Sequence, residues 1–294
     1  MTSGTYASNS AVRLQPITRS DVPRVARFLH QHLNERISVK NWTDAIIPPW
    51  QVEAPNHGYM LTVGDNTVGV QLAFYSERRT QQGPVRICNV AAFCVVQMYR
   101  AHSVRLLRAI LAQPGYSFTD LSPSGNVRPL NLRLGFEKLD TSTALVFNMV
   151  SMIGPSRARL ISKPSEIAAT LRGSDLQVFH DHRPAQAARQ LVLVKGERYC
   201  HVIFRRDRRK NLPLFATILH VSDPALFVEA QAQVFRYLLL HLGILFSLLE
   251  LRLVGDRPKP SLLLRGHRPK MFLSDTLRPQ AIDYLYSELT CVAW

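Results

Sequence analysis

The chain has 294 residues, 46% hydrophobic and 19% charged, with 36 Lys+Arg against 21 Asp+Glu and a formal net charge of +15. That length and composition supply apolar material for a core in each of two ordinary domains, which excludes wholesale disorder and fibrous repeats. The basic excess, 29 Arg and 7 Lys, is spread along the chain: residues 1–150 hold 15 basic and 9 acidic groups (net +6), residues 151–294 hold 21 and 12 (net +9). Such a surface favours polyanions, meaning nucleic acid, an anionic membrane or a phosphate-rich cofactor, although a genomic bias toward arginine accounts for it equally well. The four cysteines, Cys88, Cys94, Cys200 and Cys291, form no CxxC pair and no Cys/His spacing of a zinc site, so no metal is expected and the thiols read as free. The first residues lack the apolar segment of a signal peptide. The most apolar stretch, 237–254, contains His241, Glu250 and Arg252 and is broken by Gly243. It falls short of the ~20 nearly uncharged residues of a membrane span, and a soluble, cytoplasmic protein is expected.

In chain order, 12–16 reads as a short strand. Ser20-Asp21-Val22-Pro23 then opens a helix with Ser20 as its cap, and Val22, Val25, Ala26, Leu29 and Leu33 share one face. A second helix over 39–47 stops at Pro48-Pro49. Strands follow at 59–63 and 67–75 around the turn Gly64-Asp65-Asn66, and a long apolar strand spans 85–96. The pattern then predicts a helix over 103–112, a strand over 116–121, a helix over 128–134 and strands over 136–139 and 144–149. Residues 152–159 read as a boundary. Beyond it come strands at 191–194, 199–204 and 214–221, a long helix from Pro224 to about Leu242, and strands at 248–254 and 270–273, with 283–289 closing the chain. The order hairpin, long strand, helix, strand occurs in both halves, so the expected fold is α/β with mixed sheets covered by helices, in two units spanning 1–150 and 151–294.

The most informative segment is Val95-Val96-Gln97-Met98-Tyr99-Arg100-Ala101-His102-Ser103-Val104-Arg105-Leu106-Leu107. A strand ends, a polar turn follows and an apolar helix begins. Free amides and the positive end of a helix dipole at such a junction attract anions, and Arg100 and Arg105 add full charges suited to phosphate. Read from the residues alone, the segment is either a pyrophosphate site or an ordinary turn with exposed arginines.

YRAHSVRLL resembles the R-x-x-G-x-G/A loop of the GNAT acyltransferase superfamily, and NLRLGF (131–136) is similar to its closing LGF signature. RLQPITRSDVPRVARFL also looks like that family's first strand and helix. The resemblance covers roughly residues 12–150, and the order of elements continues it over 160–294, so it implies two GNAT-like domains in tandem, the second degenerate. It further implies acetyl-CoA or another acyl-CoA as donor and an amine as acceptor. Val95 and Val96 would line the pantetheine, and Arg100, Ala101, His102, Ser103, Val104 and Arg105 would form the pyrophosphate turn. The sequence departs from the family at Ser103 and Arg105, where the loop has glycines so that backbone can approach phosphate. Asn131 takes the place of the tyrosine that acts as general acid; it can donate a hydrogen bond but not a proton. The strand over 85–96 has no Asp or Glu to serve as base, which leaves the acid–base set unassigned, with a water chain, His57 or His102 as substitutes.

In the second half the matching turn, Ser222-Asp223-Pro224-Ala225-Leu226-Phe227, is acidic, so no coenzyme A is expected there. That half is read as forming the acceptor cleft, packing on the first half or mediating dimerisation. His180-Asp181-His182 reads as a solvated loop in preference to a metal site, and 205–210 and 265–270 read as solvated basic turns in preference to a grip on RNA or anionic lipid, since no aromatic residues interleave to stack bases. Cys94 reads as a structural thiol, and Ser124 and Asn126 as loop residues near the pantetheine arm. Trp42, Pro48, Pro49 and Trp50 fit an acceptor pocket or core packing equally. Two functions are consistent with these residues: acyl-CoA-dependent N-acyl transfer to an amine of unknown identity, or a catalytically weakened GNAT-like binding or regulatory protein that contacts nucleic acid through its basic surface.

Overall fold

The computed structural model describes residues 11–80, 83–149, 157–209 and 212–294. Strand β1 (Arg13–Pro16) leads into helix α1 (Val22–His32). The helix is entered through a turn in which the Asp21 carboxylate accepts from the Thr18 amide (2.8 Å) and hydroxyl (2.6 Å), so Thr18 and Asp21, rather than Ser20, fix its start. Helix α2 (Val39–Ile46) is capped by Ser38, whose hydroxyl accepts from the Asn41 amide at 3.2 Å. Strands β2 (Gly58–Val63), β3 (Asn66–Thr80) and β4 (Gly83–Val95) form an antiparallel meander. Helix α3 (Val104–Leu111) carries the chain over to β5 (Tyr116–Asp120), which is parallel to β4, and α4 (Val127–Arg133), β6 (Glu137–Lys138) and β7 (Thr143–Phe147) follow.

The second half opens with β8 (Arg159–Ile161), α5 (Pro164–Thr170) and α6 (Gly173–His182). These two helices were not legible in the apolar pattern, because each turns only a few buried residues inward. Strands β9 (Arg189–Lys195), β10 (Arg198–Arg209) and β11 (Leu212–Val221) form a second meander, followed by α7 (Pro224–Leu242) and β12 (Phe246–Glu250). The strand expected over 248–254 ends at Glu250 and turns into the one-turn helix α8 (Leu251–Val254). Strands β13 (Leu262–Leu264) and β14 (Met271–Leu273) and a final turn, α9 (Glu288–Cys291), complete the chain. Among the described residues no helix is long and apolar enough to cross a membrane.

Two seven-stranded mixed sheets result, with orders β1-β2-β3-β4-β5-β14-β6 and β8-β9-β10-β11-β12-β7-β13. The two orders are the same apart from one reciprocal exchange. Strand β7, from the first half, lies antiparallel between β12 and β13, and β14, from the second half, lies antiparallel between β5 and β6. The strand expected over 144–149 to close the first unit therefore pairs in the second sheet. The division at 150 leaves each sheet completed by a strand from the other side of it, and the boundary segment itself lies largely outside the described residues.

Alternation along the strands sends successive side chains to opposite faces. In the first sheet Met60, Val70, Leu72 and Phe74 pack on α1 and α2, while Ala73, Tyr75, Cys88 and Val90 pack on Leu107 and Ile110 of α3. In the second sheet Leu193, Cys200, Val202, Phe204 and Ile218 pack on Leu226, Phe227, Val234 and Leu238 of α7. A further cluster of Leu121, Leu219, Phe272 and Tyr284 joins the sheets beside β14, and the Arg78–Asp283 ion pair (2.8 Å) ties β3 to the C-terminal segment.

Candidate functional site

Strand β4 decides the shape of the site. It pairs with β5 only over Arg86–Asn89, opposite Tyr116–Thr119, and then continues to Val95 beside β3 alone. Past Asn89 its register against β3 shifts, from Leu72↔Ala91 to Val70↔Cys94, with Ala92 at φ 50. The extra residue is a bulge that turns the strand away from its parallel neighbour. A cleft opens between β4 and β5. In front of it lies a cavity of about 1270 Å³, lined on one side by Ala91, Ala92 and Phe93 and by Asp120, Ser122 and Ser124 at the end of β5. The opposite wall belongs to the second half and is strongly basic, with Arg189, Arg205, Arg206, Arg208, Arg268 and Lys270.

Part of that charge is internally paired. Asp207 lies 2.9 Å from Arg205 Nε and 2.6 Å from Arg268 Nη1, and Lys270 pairs with the buried Glu250. Arg205 is 3% exposed, so the segment expected as a solvated basic turn begins inside the protein. Lys270, expected in a basic loop, is likewise buried. Both are drawn in by a carboxylate that the tertiary fold sets beside them, since a buried cation is tolerated only when paired.

At the far end of β4, Gln97–His102 form a 3-10 turn that runs directly into α3. Ser103 has helical angles (φ −59, ψ −37), makes no side-chain cap and gives its amide to the Arg100 carbonyl at 3.0 Å, so it continues the turn instead of capping the helix. Arg100 is exposed. Arg105 reaches the residue just before β1: its Nη1 donates to the Val12 carbonyl at 3.1 Å and lies 3.5 Å from His102 Nδ1. Ala101 and Val104 complete the surface of the turn. Val95 packs against Leu61 and Val68, Val96 packs on the α1 side, and the Val96 amide is bonded to the Val68 carbonyl at 2.9 Å. None of the turn residues lines the large cavity; β4 connects the two places, with its bulge at the cavity and its end at the turn.

Asn131 is fully buried, and its Nδ2 donates to Asp120 Oδ2 at 2.8 Å. It holds a buried carboxylate in place. Burial raises Asp120 to about pKa 6 against the bonds from Asn131 and the Ser122 amide. Behind it Glu288 is raised to about 7 by burial and by the Asp120 charge, and accepts from the Ser122 hydroxyl at 2.5 Å while its Oε2 has no partner. Asp120 went unnoticed in the sequence. The available signal was a carboxylate ending an apolar strand (YSFTD) with an amide eleven residues on at Asn131.

Other candidates take structural places. Burial pushes the half-buried Cys94 thiol up to about 11, which suits a structural group. Trp42 packs on the Trp294 ring at 5.5 Å, and Trp50 donates to the Tyr75 carbonyl at 2.8 Å, both in the core. His57 sits half-buried at the start of β2, away from the cavity lining. Asn126 lies exposed at the start of α4, with no side-chain cap. His180-Asp181-His182 is the end of α6 rather than a loop: His180 is exposed, Asp181 accepts from the Tyr286 hydroxyl at 2.7 Å and His182 is buried. In the second sheet Asp223 caps α7, accepting from the Leu226 amide (2.9 Å) and from Arg198 (2.8 Å), so its own carboxylate fills the place of an anion.

No family model and no curated protein matches this chain. Solved structures do. A GCN5-related N-acetyltransferase from Anabaena variabilis is similar at a TM-score of 0.59 and 11% identity, over 89% of this chain and 72% of its own. One from Kribbella flavida is similar at 0.53 and 14%, over 89% and 70%. A chain from Pyrococcus horikoshii matches at 0.55 and 12%, over 97% and 96%. The chain thus has the fold of the GNAT superfamily.

Proposed function

We propose that this chain transfers an acyl group from an acyl-CoA, with acetyl-CoA the simplest donor, to an amine. The observation that carries the reading is the bulged departure of β4 from β5, which ends at an arginine-bearing turn on one side and faces a cavity on the other. Arg100 with the small residues Ala101 and Ser103 would hold the pyrophosphate, and Val95 and Val96 would flank the pantetheine. The coenzyme would supply a thioester carbonyl, to be polarised by a backbone amide of β4 beyond its pairing with β5. An ammonium acceptor must lose a proton before attack. Asp120, raised to about 6 by burial and set in the cavity lining, is the group suited to take it. Positioning of amine and thioester in one cleft would supply most of the rate. The basic far wall favours an acceptor that also bears a carboxylate or phosphate. In this reading the first sheet is the coenzyme-binding unit and the second, with Asp223 at the matching turn, is a degenerate copy that completes the acceptor side.

Acetyl-CoA is expected to raise the melting temperature, and Arg100→Ala to remove most of that rise. Release of free thiol from acetyl-CoA against a panel of amines then finds the acceptor. Absence of both the shift and the thiol, together with salt-sensitive retention on a nucleic-acid column, would favour the binding protein instead.

A further inference from the structure

In the second sheet Cys200 and Val202 point into the core beneath α7, so His201, between them on β10, points to the opposite face, the one that receives α6. There it meets His220 of β11 and Asp175 in the first turn of α6. One ligand-type atom from each lies within 4.8 Å of the other two, and this is the one such group among the described residues. The residues come from three elements and are far apart in sequence, which is why no Cys/His spacing announced them.

Two of the three carry an idle lone pair or proton inside the protein. His201 is fully buried. Its Nε2 lies 2.7 Å from Gln190 Oε1, and the Gln190 amide nitrogen is bonded to the Phe179 carbonyl at 3.1 Å. Gln190 therefore presents oxygen, His201 Nε2 carries the proton, and Nδ1 holds a lone pair. That Nδ1 is buried and has no hydrogen-bond partner, and His220 Nε2 is in the same condition. A buried polar nitrogen without a partner is costly, because it has given up its bond to water for nothing in return. His182 nearby shows the satisfied alternative: its Nδ1 reaches the Val178 carbonyl and its Nε2 accepts from the Tyr286 amide, both at 3.0 Å.

We propose that Asp175, His201 and His220 bind a divalent first-row transition metal ion, zinc in the first place. Two imidazoles and one carboxylate form a donor set for zinc or its neighbours, whereas magnesium and calcium favour oxygen alone. The Gln190 bond to the remote nitrogen of His201 is the kind of outer contact that fixes the tautomer of a metal-ligating histidine. Asp175 and His220 are half-buried, which leaves a path for the ion and room for water as a fourth ligand. Ligand atoms of a tetrahedral site stand roughly 3.3 Å apart, so binding draws these side chains together by an ångström or so. Arg78, whose charge bears on His220, is already paired with Asp283.

The test uses the full chain, stripped with a chelator and desalted. Zinc titrated by calorimetry is expected to bind one equivalent at micromolar affinity or better, and cobalt to give the visible absorption of a low-coordinate site. Asp175→Asn and His220→Gln, at half-buried positions, should each weaken zinc at least tenfold, and Gln190→Leu by about ten- to a hundredfold. Circular dichroism checks that each variant is folded. His201→Gln should abolish the cobalt spectrum; if that variant does not fold, Asp175→Asn carries the test. No uptake at submillimolar zinc overturns the proposal, as does wild-type affinity in Asp175→Asn and His220→Gln, which would place the ion on other histidines. Acyl transfer does not enter either outcome.

Discussion

Asp120 and Glu288 are adjacent carboxyls whose protons are held more tightly in the folded chain than in the unfolded one, since burial lifts them from 3.8 to about 6 and from 4.5 to about 7. The folded state therefore binds more protons than the unfolded state across that range, and stability falls as pH rises through it. For Asp120 the shift amounts to roughly 3 kcal/mol once it is ionised. Asp120→Asn keeps an acceptor for Asn131 and removes the buried charge. Thermal unfolding at pH 8 should show it more stable than the parent, with the difference gone at pH 4. Its turnover should nonetheless fall by about a hundredfold or more, because a general base is lost. In the parent, activity is expected to drop as pH falls through about 6. A variant with unchanged turnover would remove Asp120 from the mechanism. Asn131 was noticed in the sequence for what it replaces, but its actual contact, a bond to Asp120, depended on α4 crossing the end of β5.

At the scale of elements, the two helices that follow the long strands begin differently, and that difference was readable. Asp223 caps α7 and pairs with Arg198, while the turn before α3 carries Arg100 and no carboxylate. Asp223→Ala should lower stability by about 1 kcal/mol, read as an earlier thermal transition, because one amide of a 19-residue helix loses its partner. The start of β2 sets a stricter limit. Gly58 has φ +111, and a Cβ there would lie 2.1 Å from the Gln71 carbonyl oxygen. Gly58→Ala is expected to cost about 3 kcal/mol or more, because both the backbone angle and the strand contact must give; unchanged denaturant unfolding would contradict it. The strand β4 was visible as an apolar run, but its bulge was not, since register against β3 is a property of the pair.

For the whole molecule, the exchange of β7 and β14 is the governing feature. Each sheet is completed by a strand from the other half, and the shared cluster around Leu219, Phe272 and Tyr284 packs beside β14. Residues 1–150 expressed alone should lack a cooperative transition, while co-expression with 151–294 should recover a folded complex. A sharp transition from either half by itself would show that the exchange is dispensable. The basic charge was apparent from composition, but its concentration on one wall of a cavity was not. Arginines from β10 and from the loop after β13 become neighbours only because the second sheet is set against the cleft of the first.

Local order came from the sequence by itself: most of the long strands and helices, where the arginine turn falls, and that the order hairpin, long strand, helix, strand occurs in both halves, because apolar period, caps and turn residues act over a few positions. The tertiary structure alone decided which sheet each late strand enters, which carboxylate faces the cleft and which histidines meet. Those outcomes depend on burial and on pairing between residues of different elements, and no short-range pattern encodes them.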